Sequence, residues 1–139
     1  MVVPIIYENR WAKIGLESHA KEFLDKEFEE ITEREEVEVK EKLKRRWSRL
    51  ERVLGSESVL KKLAEDIIEH FEKRCEAIEG KALIACMSRR ICVDLYRHII
   101  KLRPEWHNDD DRKGVIKVLM TGSTDDPPEF QPHIRNKYR

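Results

Sequence analysis

Lys81-Ala-Leu-Ile-Ala-Cys-Met-Ser-Arg-Arg-Ile-Cys-Val-Asp-Leu-Tyr96 and, beyond a polar loop, Val115-Ile-Lys-Val-Leu-Met-Thr-Gly-Ser123 are the stretches on which the fold turns. Ala82 to Met87 is an unbroken apolar run too short to be a helix of its own, the pattern of a strand buried on both faces. Ser88 stands where its hydroxyl can cap a following helix, and Ile91, Leu95, Ile99 and Leu102 recur at helical spacing as that helix's buried stripe. Pro104 stops it, because the residue before a proline is pushed out of helical geometry. Val115 to Met120 then repeats the strand pattern. The order strand, helix, strand predicts a β-α-β unit. Its parallel strands would bring Ser88-Arg89-Arg90 and Thr121-Gly122-Ser123 out side by side on the edge where such sheets bind ligands.

Upstream, the period is helical. Val39, Leu43, Trp47, Leu50 and Leu54 recur at three- and four-residue steps, which places them on one face of a helix that ends at Gly55. Ser56 is positioned to cap a second helix with Leu60, Leu63, Ile67, Phe71, Cys75 and Ile78 as its buried face and Gly80 as its end. Only Gly55 and Ser56 separate the two, so a helical hairpin with a shared apolar seam is expected. Closer to the start, Val2 to Tyr7 reads as an edge strand interrupted by Pro4. Glu17 to Arg34 carries Phe23, Leu24, Phe28 and Ile31 at roughly helical spacing. The tail from Asp125 to Arg139, with Pro127, Pro128 and Pro132, has no periodicity and reads as extended. Two buried parallel strands need neighbours on both sides, and this chain supplies too few, so its second half reads as an incomplete, truncated domain.

With 139 residues the chain has room for one ordinary domain. Charged residues make up 40% of it yet sum to a formal net charge of +0, so any attraction to phosphate has to come from a local patch. No run approaches a membrane span and no signal pattern opens the sequence, which points to a cytoplasmic protein without a membrane partner. Cys75, Cys86 and Cys92 are odd in number, lack a C-x-x-C pair and fall on apolar faces, the pattern of inert buried thiols.

The quoted strings, together with Asp94-Leu-Tyr96, Arg103-Pro-Glu-Trp-His107, Asp126-Pro-Pro128 and Gln131-Pro-His-Ile-Arg-Asn-Lys137, resemble the restriction (R) subunit of type I restriction-modification enzymes, at the start of its second motor domain. Val3-Pro-Ile-Ile-Tyr-Glu-Asn-Arg10 and Phe28-Glu-Glu-Ile-Thr-Glu33 are similar to the linker leaving the first motor domain. The resemblance implies an α/β, mostly helical chain. Residues 1–80 would be a helical linker, and residues 81–139 the β-α-β start of a truncated RecA-like, superfamily-2 helicase-type motor domain.

The parent implied is an ATP-driven double-stranded DNA translocase and endonuclease, using ATP and Mg2+ and working with methyltransferase and specificity subunits and the remainder of the motor subunit. Ala82 to Arg90 would match the family's fourth helicase motif. That makes Ser88, Arg89, Arg90, Thr121 and Gly122 the candidates to meet the nucleic-acid backbone, since hydroxyl, guanidinium and amide groups donate to phosphate without reading bases. The chain has no G-x-x-x-x-G-K-[ST] loop, no acidic box for magnesium, no later motif with an arginine finger and no PD-(D/E)xK core. Catalytic residues, bound cofactors and metal ligands are therefore expected to be absent from this chain taken alone.

Plainer readings stand beside these. Arg89 and Arg90 at a helix start oppose the helix dipole, which favours a functional role, but a solvated pair has the same sequence. His107 with Asp109-Asp110-Asp111 reads as a solvated loop before it reads as a metal cluster. The basic residues between Glu35 and Arg52 pair with interleaved glutamates at helical spacing. Trp47 reads as core. His133, Arg135 and Lys137 form a basic tail. The alternative function is a freestanding helical protein-interaction module that binds through the hairpin of Glu35 to Glu79.

Overall fold

The helical periods of the sequence are realised as two long helices joined by the two-residue link Gly55-Ser56 and a third that packs across the second. The structure, a computed structural model, describes residues 39–110, 112–123 and 125–134, with side chains from Arg46 onward. The expected strand at Val2 to Tyr7 and helix at Glu17 to Arg34 lie outside the described residues. Helix α1 is Val39–Leu54, α2 is Glu57–Ala77 and α3 is Arg89–Leu102. A 3-10 turn at Pro104–Trp106 follows α3, and a second at Pro128–Phe130 leads into the single turn α4, Gln131–Ile134. The tail expected to be extended is thus partly coiled.

The core is the seam between α2 and α3. Leu60, Ala64 and Ile68 of α2 meet Ile91, Leu95 and Ile99 of α3, with Leu54, Leu63, Ile67 and Trp106 packed around them. Leu60 and Ile99 are each 1% exposed. Burying a side chain of this size contributes about 1.5–3 kcal/mol, so this seam is the main cohesive element of the described region, and it runs across Gly80. Of the stripe read for α3, Ile91, Leu95 and Ile99 are buried and Leu102 is half-buried, while Val93 and Tyr96 are buried beside them. The stripe of α2 is rotated: Val59, Ala64 and Ile68 are buried beside Leu60, Phe71 and Cys75 are half-buried, and Ile78 is exposed. Trp47, read as core, is exposed as well. Arg103, just past α3, clasps Glu72 of α2 through two hydrogen bonds of 2.7 and 2.9 Å.

The β-α-β expectation is overturned, and with it the RecA-like start of a motor domain. Among the described residues there is no strand. Ala82–Met87 and Val115–Met120 both lie over α3 but are separated by a cleft of about 170 Å3, lined from Ala82 to Cys86 on one side and Val115 to Leu119 on the other. The amides of Val115 and Ile116 bond instead to the Trp106 carbonyl, at 2.9 and 3.3 Å. An apolar run becomes a two-face-buried strand only if a ladder partner satisfies its backbone and a second layer covers its outer face. Neither is present among the described residues. Val118 is therefore buried towards α3 while Leu83, Val115 and Leu119 stay exposed. What holds of the fold expectation is its mostly helical part.

Candidate functional site

The start of α3 is where the quoted motifs meet. Ser88 has extended backbone and its hydroxyl accepts a hydrogen bond from the Ile91 amide at 3.3 Å, so it is the expected cap. The first two residues of the helix are then Arg89 and Arg90, cations at the positive end of the helix dipole, and each is answered by a carboxylate. Arg89 turns towards the 121–130 segment. Its guanidinium reaches Asp126 at 2.7 Å to Oδ1 and 2.8 Å to Oδ2, donates to the Thr121 carbonyl at 3.1 Å and lies 5.5 Å from the centre of the Phe130 ring. A cation over a ring face is attracted by the ring's quadrupole. The Asp126 side chain is only 3% exposed and also accepts from the Ser123 amide at 2.5 Å. That amide and the Arg89 guanidinium hold its carboxyl below the usual carboxylate range. Arg90 turns the other way, towards Glu51 of α1 at 3.8 Å.

Gly122 has a packing reason of its own. A Cβ added there would stand 2.1 Å from Cγ2 of Ile134, so α4 lies directly on the glycine. Arg97 of α3 reaches Glu129 at 3.0 Å, and Gln131 donates weakly to the Asp126 carbonyl at 3.5 Å. The structure accordingly brings Ser88, Arg89, Thr121 and Gly122 to one edge and places Arg90 beside the hairpin. The residue that organises the edge is Asp126, which sequence reasoning missed because its pairing with Arg89 spans 37 residues of chain.

The other candidates are committed elsewhere. The His107 ring bonds Tyr96 through Nδ1 at 2.6 Å and Asp109 through Nε2 at 3.1 Å. Asp110 caps the Arg112 amide at 3.0 Å, and Lys117 Nζ donates to the carbonyls of Asn108 and Asp110 at 2.9 and 3.0 Å. Gly114 closes this loop with φ +89°, the left-handed region that favours glycine. The loop is thus internally tied, and among the described residues no group of His, Cys, Asp or Glu is arranged to hold a metal ion. Trp106 packs edge-on against Phe71, with ring centres 5.7 Å apart, half-buried against the core. No helix among the described residues is long and apolar enough to cross a membrane.

No family model and no solved structure matches the chain. Curated proteins do. The type I restriction enzyme HindI endonuclease subunit of Haemophilus influenzae is 43% identical over 136 residues, which is 97% of this chain and 12% of that protein. A Methanocaldococcus jannaschii protein assigned to the MjaIXP type I restriction enzyme as its endonuclease subunit is 39% identical over 140 residues, 99% of this chain and again 12% of the relative. This chain spans about 12% of the length of these relatives and is homologous, over nearly all of its own length, to a segment of type I restriction enzyme endonuclease subunits.

Proposed function

We propose that this segment works inside an ATP-dependent double-stranded DNA translocase and endonuclease, where the edge formed by Ser88–Arg90 and Thr121–Ser123 lies against the DNA backbone. The observation that carries the reading is the Arg89 guanidinium, which joins the start of α3 to the Thr121 carbonyl and Asp126 and so assembles both motifs into one edge. Arg89, already neutralised by a nearly buried carboxylate, is a positioning residue. Arg90, beside the hairpin and 3.8 Å from Glu51, and the Thr121 hydroxyl at the edge are the exposed groups offered to phosphate.

In this reading ATP and Mg2+ are bound by other segments of the parent, whose remaining parts include a helicase-type motor, and the complex includes methyltransferase and specificity subunits. Ile78, Leu83, Val115 and Leu119 are 62–88% exposed. With Phe71 and Trp106, all but Leu119 border an open groove of about 860 Å3. Such an apolar surface supports packing against the remainder of the subunit over a freestanding existence.

The test is made in the complete subunit with its partners. Arg90→Ala should lower DNA-stimulated ATP turnover and flatten the dependence of log affinity on log salt by about 0.9, the counterion share of one phosphate contact. Arg89→Ala should lower turnover too, but with loss of order at Thr121–Ile134. An Arg90→Ala subunit with unchanged turnover and an unchanged salt slope would remove Arg90 from the DNA path, and an Arg89→Ala subunit with unchanged turnover would remove the edge.

A further inference from the structure

Cys86 and Cys92 bracket the Ser88–Arg90 turn, two residues before it and two after, and both are free and half-buried. Both thiols line the same cleft of about 170 Å3 between α3 and the two irregular segments that cross it. Cys92 sits one helical turn past Ser88, whose carbonyl accepts from its amide at 3.0 Å, so its place on the helix is set. Cys86 belongs to a segment that no ladder restrains among the described residues, which leaves its backbone able to settle into the narrow range of Cβ separations, about 3.5–4.5 Å, that a disulfide demands. Cys75 lies elsewhere, on α2, bordering the open groove.

We propose that Cys86 and Cys92 are a reversible modification site, a dithiol that hydrogen peroxide converts to an intramolecular disulfide pinning the end of the 82–87 segment to the first turn of α3. Burial, reinforced by the neighbouring Cys92 thiol, pushes the Cys86 thiol up to about 11. One of the two sulfurs meets the peroxide first. Its thiolate attacks one peroxide oxygen, an S–O bond forms as the O–O bond breaks, and the departing hydroxide takes up a proton to become water. The other sulfur then attacks the sulfenic sulfur, an S–S bond forms as the S–O bond breaks, and the attacking thiol's proton leaves with the hydroxyl as a second water. Two thiols and one peroxide give one disulfide and two waters, the sulfurs losing the two electrons that the peroxide gains. A half-buried thiol pair of this kind, in a chain whose three cysteines are all free, has the character of a transient, regulatory bridge.

The experiment treats the 139-residue chain with hydrogen peroxide, alkylates what remains free and digests with trypsin, which cuts between Cys86 and Cys92 at Arg89 and Arg90. The expected result is loss of alkylation at Cys86 and Cys92 together, with Cys75 still alkylated, and a reducible link between peptides Ala82–Arg89 and Ile91–Arg97. In denaturant the preference should disappear and Cys75 should enter the linkages. Separate sulfinic acids on Cys86 and Cys92, a dominant link to Cys75, or the same product pattern in native and denatured chains would overturn the proposal.

Discussion

Replacing Gly122 by alanine tests whether this glycine serves the packing of α4. The added Cβ would stand 2.1 Å from Ile134 Cγ2, whereas ordinary Cβ contacts begin at about 3.4 Å, so roughly 1.3 Å of separation has to be found. The φ of Gly122 is not in the left-handed region, so alanine is acceptable to the backbone and the cost is steric. Forcing an extra carbon into a packed contact typically costs about 1–3 kcal/mol. α4 is a single turn, and undocking it offers a way of escaping that cost. The assay therefore combines urea midpoints with hydrogen exchange at Phe130–Ile134. Gly122→Ala should lower the midpoint or abolish protection of that segment. Ile134→Ala removes Cγ2 and Cγ1 and leaves only Cβ, 3.4 Å away, so the double variant should recover most of what Gly122→Ala lost beyond the cost of Ile134→Ala alone. Full protection and an unchanged midpoint in Gly122→Ala would refute the packing role, as would a double variant whose losses simply add.

Leu60→Ala should destabilise the chain by about 2–5 kcal/mol, read from denaturant midpoints, because Leu60 is 1% exposed in the seam with α3 and its lost carbons leave a cavity; a loss under about 1 kcal/mol would mean the seam is not the core. Asp126 supplies a pH prediction. Its folded carboxyl is held below the ordinary aspartate value, so its contribution is present above about pH 4, the unfolded value, and is lost as pH falls through the lower folded value. The Ser123 amide resonance should titrate with a midpoint below that of an ordinary aspartate, and Arg89→Ala should raise it. A midpoint at the ordinary value would show that the Arg89–Asp126 clasp does not form.

The three long helices were legible because their causes are local, although α2 ends at Ala77 rather than at Gly80 and Ser56 does not cap it with its side chain, its hydroxyl donating instead to the Val53 carbonyl at 2.8 Å. Apolar residues at three- and four-residue steps fix α1 and the buried face of α3, Ser88 marks a helix start and Pro104 a helix stop, and these signals need nothing beyond neighbouring residues. The resemblance of the quoted strings to type I restriction subunits was equally available, since it resides in residue identities. The apolar runs Ala82–Met87 and Val115–Met120 misled because strand formation is not local. A strand exists only where another backbone accepts its hydrogen bonds, and the seam of Leu60, Ala64 and Ile68 with α3 took the place that a sheet would have filled. Side-chain roles at the edge were also tertiary matters. Nothing in the spacing of Arg89 and Arg90 tells that one turns to Asp126 and the other to Glu51, or that Gly122 is glycine because Ile134 lies on it. Sequence alone determined where the three long helices run and which charged residues open α3. The tertiary structure decided which of those residues were drawn into holding the edge together, because that depends on partners far along the chain being brought within hydrogen-bond and van der Waals reach.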